Sequence, residues 1–324
     1  MGILVCDLGG EMPVLTPEDV RVPADVLPEA RDTYIDNFLA ATRGTGKLML
    51  FACDQKIEHL NDDFYGEGID SADNDPEHMF RIASGGIIGV MAAQRGLVAQ
   101  YAPSYPEINY LVKMNSKSHL VKTTQDDPYS PQLYSLDAVL AMRDAGVNIV
   151  GLGYTIYVGS EYEANMMSEA GELIAEAHAN GLIVVLWVYP RGKAVASEKE
   201  ASLIAGAAGV ALCLGADFVK VNPPDATDTA SSAELLAIAS VAAGRTGLVC
   251  AGGSTVDAEK FLSQLHDQIH IGGAVGNATG RNIHQRSLGE AINLTKAISA
   301  ITLADYDVQE ALDVFNGLEE FELD

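Results

Sequence analysis

From Lys47 onward the chain repeats one pattern eight times: a short apolar run, a loop rich in Gly, Asp or Asn, then a helical stretch. The apolar runs lie at 48–53, 87–91, 109–114, 148–152, 182–188, 217–221, 247–251 and 269–274. Helical stretches between them include 135–145, 160–179, 199–214, 233–243, 256–265 and 287–299. Several runs are rich in Val, Ile and Leu, as parallel strands buried on both faces must be. Alternating strands and helices give a parallel sheet, and eight such units close it. The pattern predicts an α/β chain: a single (β/α)8 TIM barrel over residues 47–302. An N-terminal extension, 1–46, precedes it, with a helix at 29–42 closing the barrel bottom. An acidic C-terminal helix and tail, 303–324, follows. A doubly wound open sheet is the competing architecture. No G-x-G-x-x-G opens a helix after the first strand, which counts against its dinucleotide-binding form.

The chain carries 45 acidic and 20 basic residues, a net charge of −25. Such a field repels phosphate backbones and anionic lipid, which argues against nucleic-acid and membrane-surface roles. An anionic ligand therefore needs a local site of backbone N–H groups and a few cations. Cys6, Cys53, Cys213 and Cys250 form no C-x-x-C pair. The last three sit in apolar stretches and read as small buried side chains, pointing to a reducing cytoplasm rather than a disulfide scaffold. No apolar run approaches the roughly 18 residues of a membrane span, and the acidic start is unlike a signal peptide. The histidines are scattered. His59, His119 and His284 lie near strand ends but lack ligand spacing, so no metal is expected.

In such a barrel the residues closing each strand carry the chemistry. Strand six reads ADFVKVNPP, and alternation puts Phe218, Lys220 and Asn222 on one face. A lysine inside an apolar strand is paired, neutral or reactive, because an unpaired buried ammonium is costly. Desolvation and a neighbouring cation both free its amine to attack a carbonyl. A structural ion pair is the bland alternative. Strand five, LIVVLWVYPRG, places Trp187, Tyr189 and Arg191 on a common face. That offers a phenol for proton transfer beside a cation, where an ordinary aromatic core layer has little use for arginine. Strand three, NYLVKMNSK, aligns Lys113, Asn115 and Lys117. Lys113 is either the second cation beside Lys220 or a partner for Asp54, which lies at the end of strand one and can accept a hydroxyl proton or orient substrate. Asp at a strand end is otherwise a cap or loop acceptor. After strands seven and eight come Gly252, Gly253 and Ser254, then Gly280 and Arg281, each ahead of a helix. Glycines and helix N-termini at these two loops suit a phosphate.

Together the segments CDQKIEH, YLVKMN, GYTIYVGSEYE, VVLWVYPRG, ADFVKVN, CAGGS and GRNIHQ resemble the archaeal-type class I fructose-1,6-bisphosphate aldolases. The resemblance runs from Asp54 to about Gln285, with W-x-Y-P-R-G its most specific part. It implies that Lys220 forms a Schiff base with dihydroxyacetone phosphate, that Tyr189 moves protons, and that Trp187 shapes the pocket. Asp54 then lies near the substrate hydroxyls, Lys113 and Arg191 bind substrate, and the two glycine turns bind phosphate. The reaction it implies is reversible cleavage to dihydroxyacetone phosphate and glyceraldehyde 3-phosphate, with no cofactor. The family also implies a homo-oligomer. Two alternatives stay open: a related Schiff-base aldolase or transferase acting on another phosphorylated ketose or keto sugar, and a non-catalytic barrel that only binds. The acidic loop at 60–77, the N-terminal extension and the glycine-rich GGAVGN stretch depart from the family pattern.

Overall fold

A computed structural model describes residues 14–58, 63–118 and 127–323; Cys6, His59 and His119 lie outside them. Eight strands, β1 (Leu48–Ala52), β2 (Val90–Gln94), β3 (Tyr110–Lys113), β4 (Ile149–Val158), β5 (Ile183–Pro190), β6 (Phe218–Val221), β7 (Gly247–Ala251) and β8 (Gly276–Thr279), form a closed barrel in chain order. Every neighbouring pair is parallel, including β8 against β1, where Leu48 faces Gly276 and Phe51 faces Thr279. The helices are α1 (Arg31–Thr42), α2 (Gln55–Glu58), α3 (Glu77–Gly85), α4 (Arg95–Tyr101), α5 (Leu136–Asp144) and α6 (Glu163–Ala179). After these come α7 (Ala201–Leu214), α8 (Ser232–Ala243), α9 (Ala258–His270), α10 (Arg281–His284), α11 (Leu288–Ala304) and α12 (Val308–Phe315).

Alternation along the strands divides the apolar residues into two cores. Leu48, Leu50, Ala52, Val90, Ala92, Leu111, Val185 and Phe218 fill the barrel axis. Their sequence neighbours, such as Met49, Phe51, Met91, Val184 and Val219, pack outward under the helices. The axial core continues into Tyr34, Ile35 and Ala41 of α1, which seals the N-terminal end of the barrel. Polar side chains fasten that helix to residues just ahead of the strands: Asn37 Nδ2 donates to Gly181 O (2.7 Å) and Asn109 Nδ2 to Ala40 O (3.1 Å).

The expected eighth strand, 269–274, is displaced. Ile269 is the buried face of α9's last turn, and Gly272 and Gly273 then turn the chain, the latter at φ +71. The real β8 is Gly-Asn-Ala-Thr, small and polar, so no hydrophobic pattern marks it. Gly276 has φ +150, and a Cβ there would meet Leu48 O at 2.0 Å, so only glycine lets β8 reach β1. β2 starts three residues later than expected, and β4 runs six residues further, to Val158. Cys53 and Cys250 are buried as expected, but Cys213 is exposed because it falls on the outward face of α7. The acidic C-terminal stretch is held against the barrel: Ala311 and Val314 of α12 are buried, as is Phe321, which packs edge-on against Tyr306.

Under the barrel, His178 is fully buried between two carboxylates, Nδ1 at 2.9 Å from Asp25 and Nε2 at 3.2 Å from Asp217. Tyr34 donates to the other Asp217 oxygen, tying α1 to this cluster. Burial opposes a charge on His178, but the hydrogen bonds and charges of Asp217 and Asp25 outweigh it and raise its pKa to about 9. A folded-state value above the unfolded one stabilises the fold fully below the unfolded pKa, with the gain lost as pH rises through about 9. The gain is on the order of 3 kcal/mol, since each tenfold in proton affinity is about 1.4 kcal/mol. Thermal melts of wild type and His178→Gln should therefore differ most below about pH 6.5 and converge above about pH 9. A difference independent of pH would exclude a charged His178.

Candidate active site

The C-terminal ends of the strands surround a cavity whose wall includes Asp54, Thr155, Tyr157, Trp187, Tyr189, Arg191, Lys220 and Asn222. Alternation brings them there. Trp187 and Tyr189 share one face of β5 with Arg191 just past its end, Lys220 lies on β6 with Asn222 just past its end, and Trp187 is the cross-strand partner of Lys220. The Lys220 ammonium lies 5.3 Å from the centre of the Trp187 ring. Lys113 approaches the same ring at 5.0 Å.

Lys113 does not line the cavity. It is buried behind it, donating to Thr155 Oγ1 (2.6 Å) and lying 3.6 Å from Asp54 Oδ2. Both sequence-based readings of Lys113, as partner of Asp54 and as cation near Lys220, are compatible here. Burial lowers the Lys220 pKa, Lys113 and Arg281 lower it further, and Asp54 and Glu58 oppose them, for a net value of about 8. A measurable fraction of the amine is then neutral at physiological pH. Tyr189 moves the other way. Burial, then the charges of Asp54 and Glu58, push its phenol well up despite Arg191 and Arg281, so it holds its proton.

Three buried polar atoms on this wall have no hydrogen-bond partner among the described residues: Asp54 Oδ1, Gln55 Oε1 and Trp187 Nε1. Each such atom costs about 1–3 kcal/mol unless something pairs with it. Three converging on one cavity fit a polyhydroxylated ligand.

The two glycine turns meet at the opposite wall. Gly252, Gly253, Gly280 and Arg281 line the cavity, whereas Ser254 opens onto an adjoining hollow between α8 and α9. Gly253 has φ +70. A Cβ on Gly280 would strike Gln55 Nε2 at 2.3 Å and Ala52 O at 2.6 Å, so the turn lies tight against the end of β1. Asn282 joins the two turns: its Nδ2 donates to Gly252 O (2.8 Å) and Ser254 O (3.1 Å), while its Oδ1 accepts from Val256 N (3.0 Å). The acidic loop supports this wall. Asp63 lies 3.6 Å from Arg281, and buried Asp73 bonds His284 Nδ1 at 2.7 Å. Among the described residues no group of three His, Cys, Asp or Glu could hold a metal ion.

Sequence reasoning did not single out Gln55, Glu58, Thr155, Tyr157 or Asn282. Gln55 is the residue after Asp54, and Glu58 lies four residues beyond it. Thr155 and Tyr157 lie on the part of β4 taken for loop, although their spacing of two was a usable signal.

The DeoC/LacD aldolase family matches residues 48–286. A Methanocaldococcus jannaschii protein named fructose-bisphosphate aldolase/6-deoxy-5-ketofructose 1-phosphate synthase is 54% identical over 304 residues, covering 94% of this chain and 96% of its own. The structure of a fructose-bisphosphate aldolase from Slackia heliotrinireducens is 73% identical with a TM-score of 0.94, covering 96% of this chain and 98% of that one. An archaeal fructose-1,6-bisphosphate aldolase whose catalytic lysine is bound to a carbinolamine intermediate is 28% identical with a TM-score of 0.71, covering 83% and 99%.

Removing the Lys113 cation, and leaving Asp54 unopposed, should raise the proton affinity of Lys220. Reductive methylation of Lys220 followed by peptide mass spectrometry should show a midpoint near pH 8 in wild type and a higher one in Lys113→Met. An unmoved or lower midpoint would contradict the electrostatic role given to Lys113.

Proposed function

The chain belongs to the DeoC/LacD family of aldolases, among the archaeal-type class I fructose-bisphosphate aldolases, and we propose that Lys220 is its Schiff-base nucleophile. The enzyme is a carbon–carbon lyase, and the observation that carries the assignment of its nucleophile is the buried Lys220 amine with its pKa lowered to about 8.

In this reading fructose 1,6-bisphosphate enters with its C2 carbonyl facing Lys220. The amine adds to the carbonyl, and loss of water leaves an iminium that draws electrons from the neighbouring carbons. Asp54 accepts the C4-hydroxyl proton as the C3–C4 bond breaks, the electron pair of that bond moves into the enamine, and Tyr189, whose phenol holds its proton, donates when the enamine is protonated. Glyceraldehyde 3-phosphate departs; protonation of the enamine and hydrolysis then release dihydroxyacetone phosphate. Asp54 Oδ1 and the Trp187 indole N–H, which have no hydrogen-bond partner among the described residues, orient the hydroxyl groups. Gly252, Gly253, Gly280 and Arg281 hold a phosphate, with Ser254 at the margin of that turn. Arg191 offers a second cation on the β5 side. It forms a two-pronged pair with Glu198 (2.9 and 3.0 Å), which fixes its plane. Lys113 acts from behind the wall.

A second reading rests on the Methanocaldococcus jannaschii relative, whose name pairs the aldolase with a synthase of 6-deoxy-5-ketofructose 1-phosphate. In that reading Lys220 forms the same kind of Schiff base and a different carbonyl compound accepts the bound fragment.

Incubation with dihydroxyacetone phosphate in EDTA, borohydride reduction and peptide mapping should give an adduct on Lys220. Lys220→Ala should lose both the adduct and cleavage of fructose 1,6-bisphosphate. Tyr189→Phe should keep the adduct and lose about 10²–10⁴-fold in kcat, the usual worth of a general acid–base group. Cleavage persisting in Lys220→Ala would displace the nucleophile.

A further inference from the structure

One hydroxyl on the cavity wall has a proton that the protein does not use. Thr155 on β4 is buried and lines the cavity. Its Oγ1 takes a 2.6 Å hydrogen bond from the Lys113 ammonium. An ammonium only donates, so Oγ1 is the acceptor in that bond and its own proton points elsewhere. Among the described residues no hydrogen bond uses that proton. The backbone of Thr155 is held as firmly as its side chain. Asn115 Oδ1 accepts from the Thr155 N–H (2.7 Å) and Asn115 Nδ2 donates to the Thr155 carbonyl (2.8 Å). The same Nδ2 donates to Ser130 O (2.7 Å), which fixes the amide in turn.

Register decides what this donor can reach. Thr155 is the cross-strand partner of Trp187, and Trp187 of Lys220, so the three share one layer of the barrel. The glycine turns lie on the opposite wall, after β7 and β8. Dihydroxyacetone phosphate bonded to Lys220 through its middle carbon, with its phosphate at those turns, sends its third carbon toward β5 and β4. That carbon bears the only free hydroxyl of the fragment. Asp54 can only accept from this hydroxyl, whereas Thr155 offers its oxygen a donor, strengthened by the ammonium behind it.

We propose that Thr155 is a specificity-determining residue: its hydroxyl, polarised by Lys113, donates to the hydroxyl oxygen beside the Schiff-base carbon and selects hydroxyketone phosphates over their deoxy analogues. The inference rests on Lys220 as the nucleophile and on the glycine turns as the phosphate site. A site that pairs a buried donor with a substrate hydroxyl rejects the analogue lacking it, because the donor is then left unpaired.

The test uses the full chain and borohydride trapping on Lys220, titrated with two ketones. One is dihydroxyacetone phosphate; the other is acetol phosphate, with a methyl group in place of the hydroxymethyl. The readout is the ratio of their half-saturating concentrations, and comparison between variants cancels the intrinsic difference in ketone reactivity. Thr155→Val should reduce the preference for dihydroxyacetone phosphate about 10–100-fold, the worth of one hydrogen bond reinforced by a charge. Acetol phosphate should bind Thr155→Val about as it binds wild type. Thr155→Ser should keep the wild-type ratio. Thr155→Cys, a weak donor, should fall between them and serves as the check if the valine variant melts early. The Lys220 methylation midpoint should stay near pH 8 in Thr155→Val, where Asp54 still holds Lys113. An unchanged ratio in both Thr155→Val and Thr155→Cys overturns the proposal. So does an equal loss of both ketones, which marks a purely structural role. Absence of any Lys220 adduct in wild type would instead bring down the nucleophile assignment, and this inference with it.

Discussion

Hydrogen bonding of β8 to β1 is the contact on which the remaining structure depends. It turns an open sheet, whose central residues would face helices on both sides, into a ring with a private interior. Lys220 sits in a four-residue strand, Phe218–Val221, with Phe218 one layer below it. On an open sheet its amine would find water or an acidic neighbour and remain an ordinary ammonium. Inside the ring it is only 4% exposed, and the ring brings Lys113 to the same indole. Closure therefore sets the reactivity of the amine as well as its position.

The charge of −25 and an anionic substrate are reconciled by distribution. Lys113, Lys220, Arg191 and Arg281 gather at one end of the barrel, and several acids near that end are engaged with them: Asp54 with Lys113, Glu198 with Arg191, Asp63 with Arg281. The acidic loop that departs from the family pattern has a structural use. Asp73 is buried against His284, and stacking of Phe64 on that imidazole at 4.7 Å packs the loop over α10, which carries Arg281. Acidity in that loop orders the cationic wall beneath it.

What could be read in the sequence follows from which physical signals are local. Lys220, Tyr189 and Arg191 were legible because period-two alternation in Val-rich strands says which face each occupies. β8 was not, because Gly-Asn-Ala-Thr has no apolar pattern and its place is set by contact with Leu48, distant in sequence. β4 was cut short at Leu152 because GLGYT reads as loop. Its glycines are spatial: a Cβ on Gly153 would meet the Trp187 ring at 2.6 Å. Thr155 and Tyr157 lie on the same strand beyond those glycines and are hidden with it. Ser254 shows the limit of reading a turn from composition, since adjacent residues of one turn face two different hollows.

The plug formed by α1 has a consequence for traffic. With Tyr34, Ile35 and Phe218 filling the axis, the barrel is a well and not a tunnel. Sugar, water and both products pass over the same rim. In the proposed cycle one half of the sugar stays bonded to Lys220, which is only 4% exposed, while the aldehyde half is freed above it. On that reading the aldehyde clears before water descends to hydrolyse what remains. A blind-ended well thus imposes an order of departure that in a through-channel would have to be set by chemistry alone.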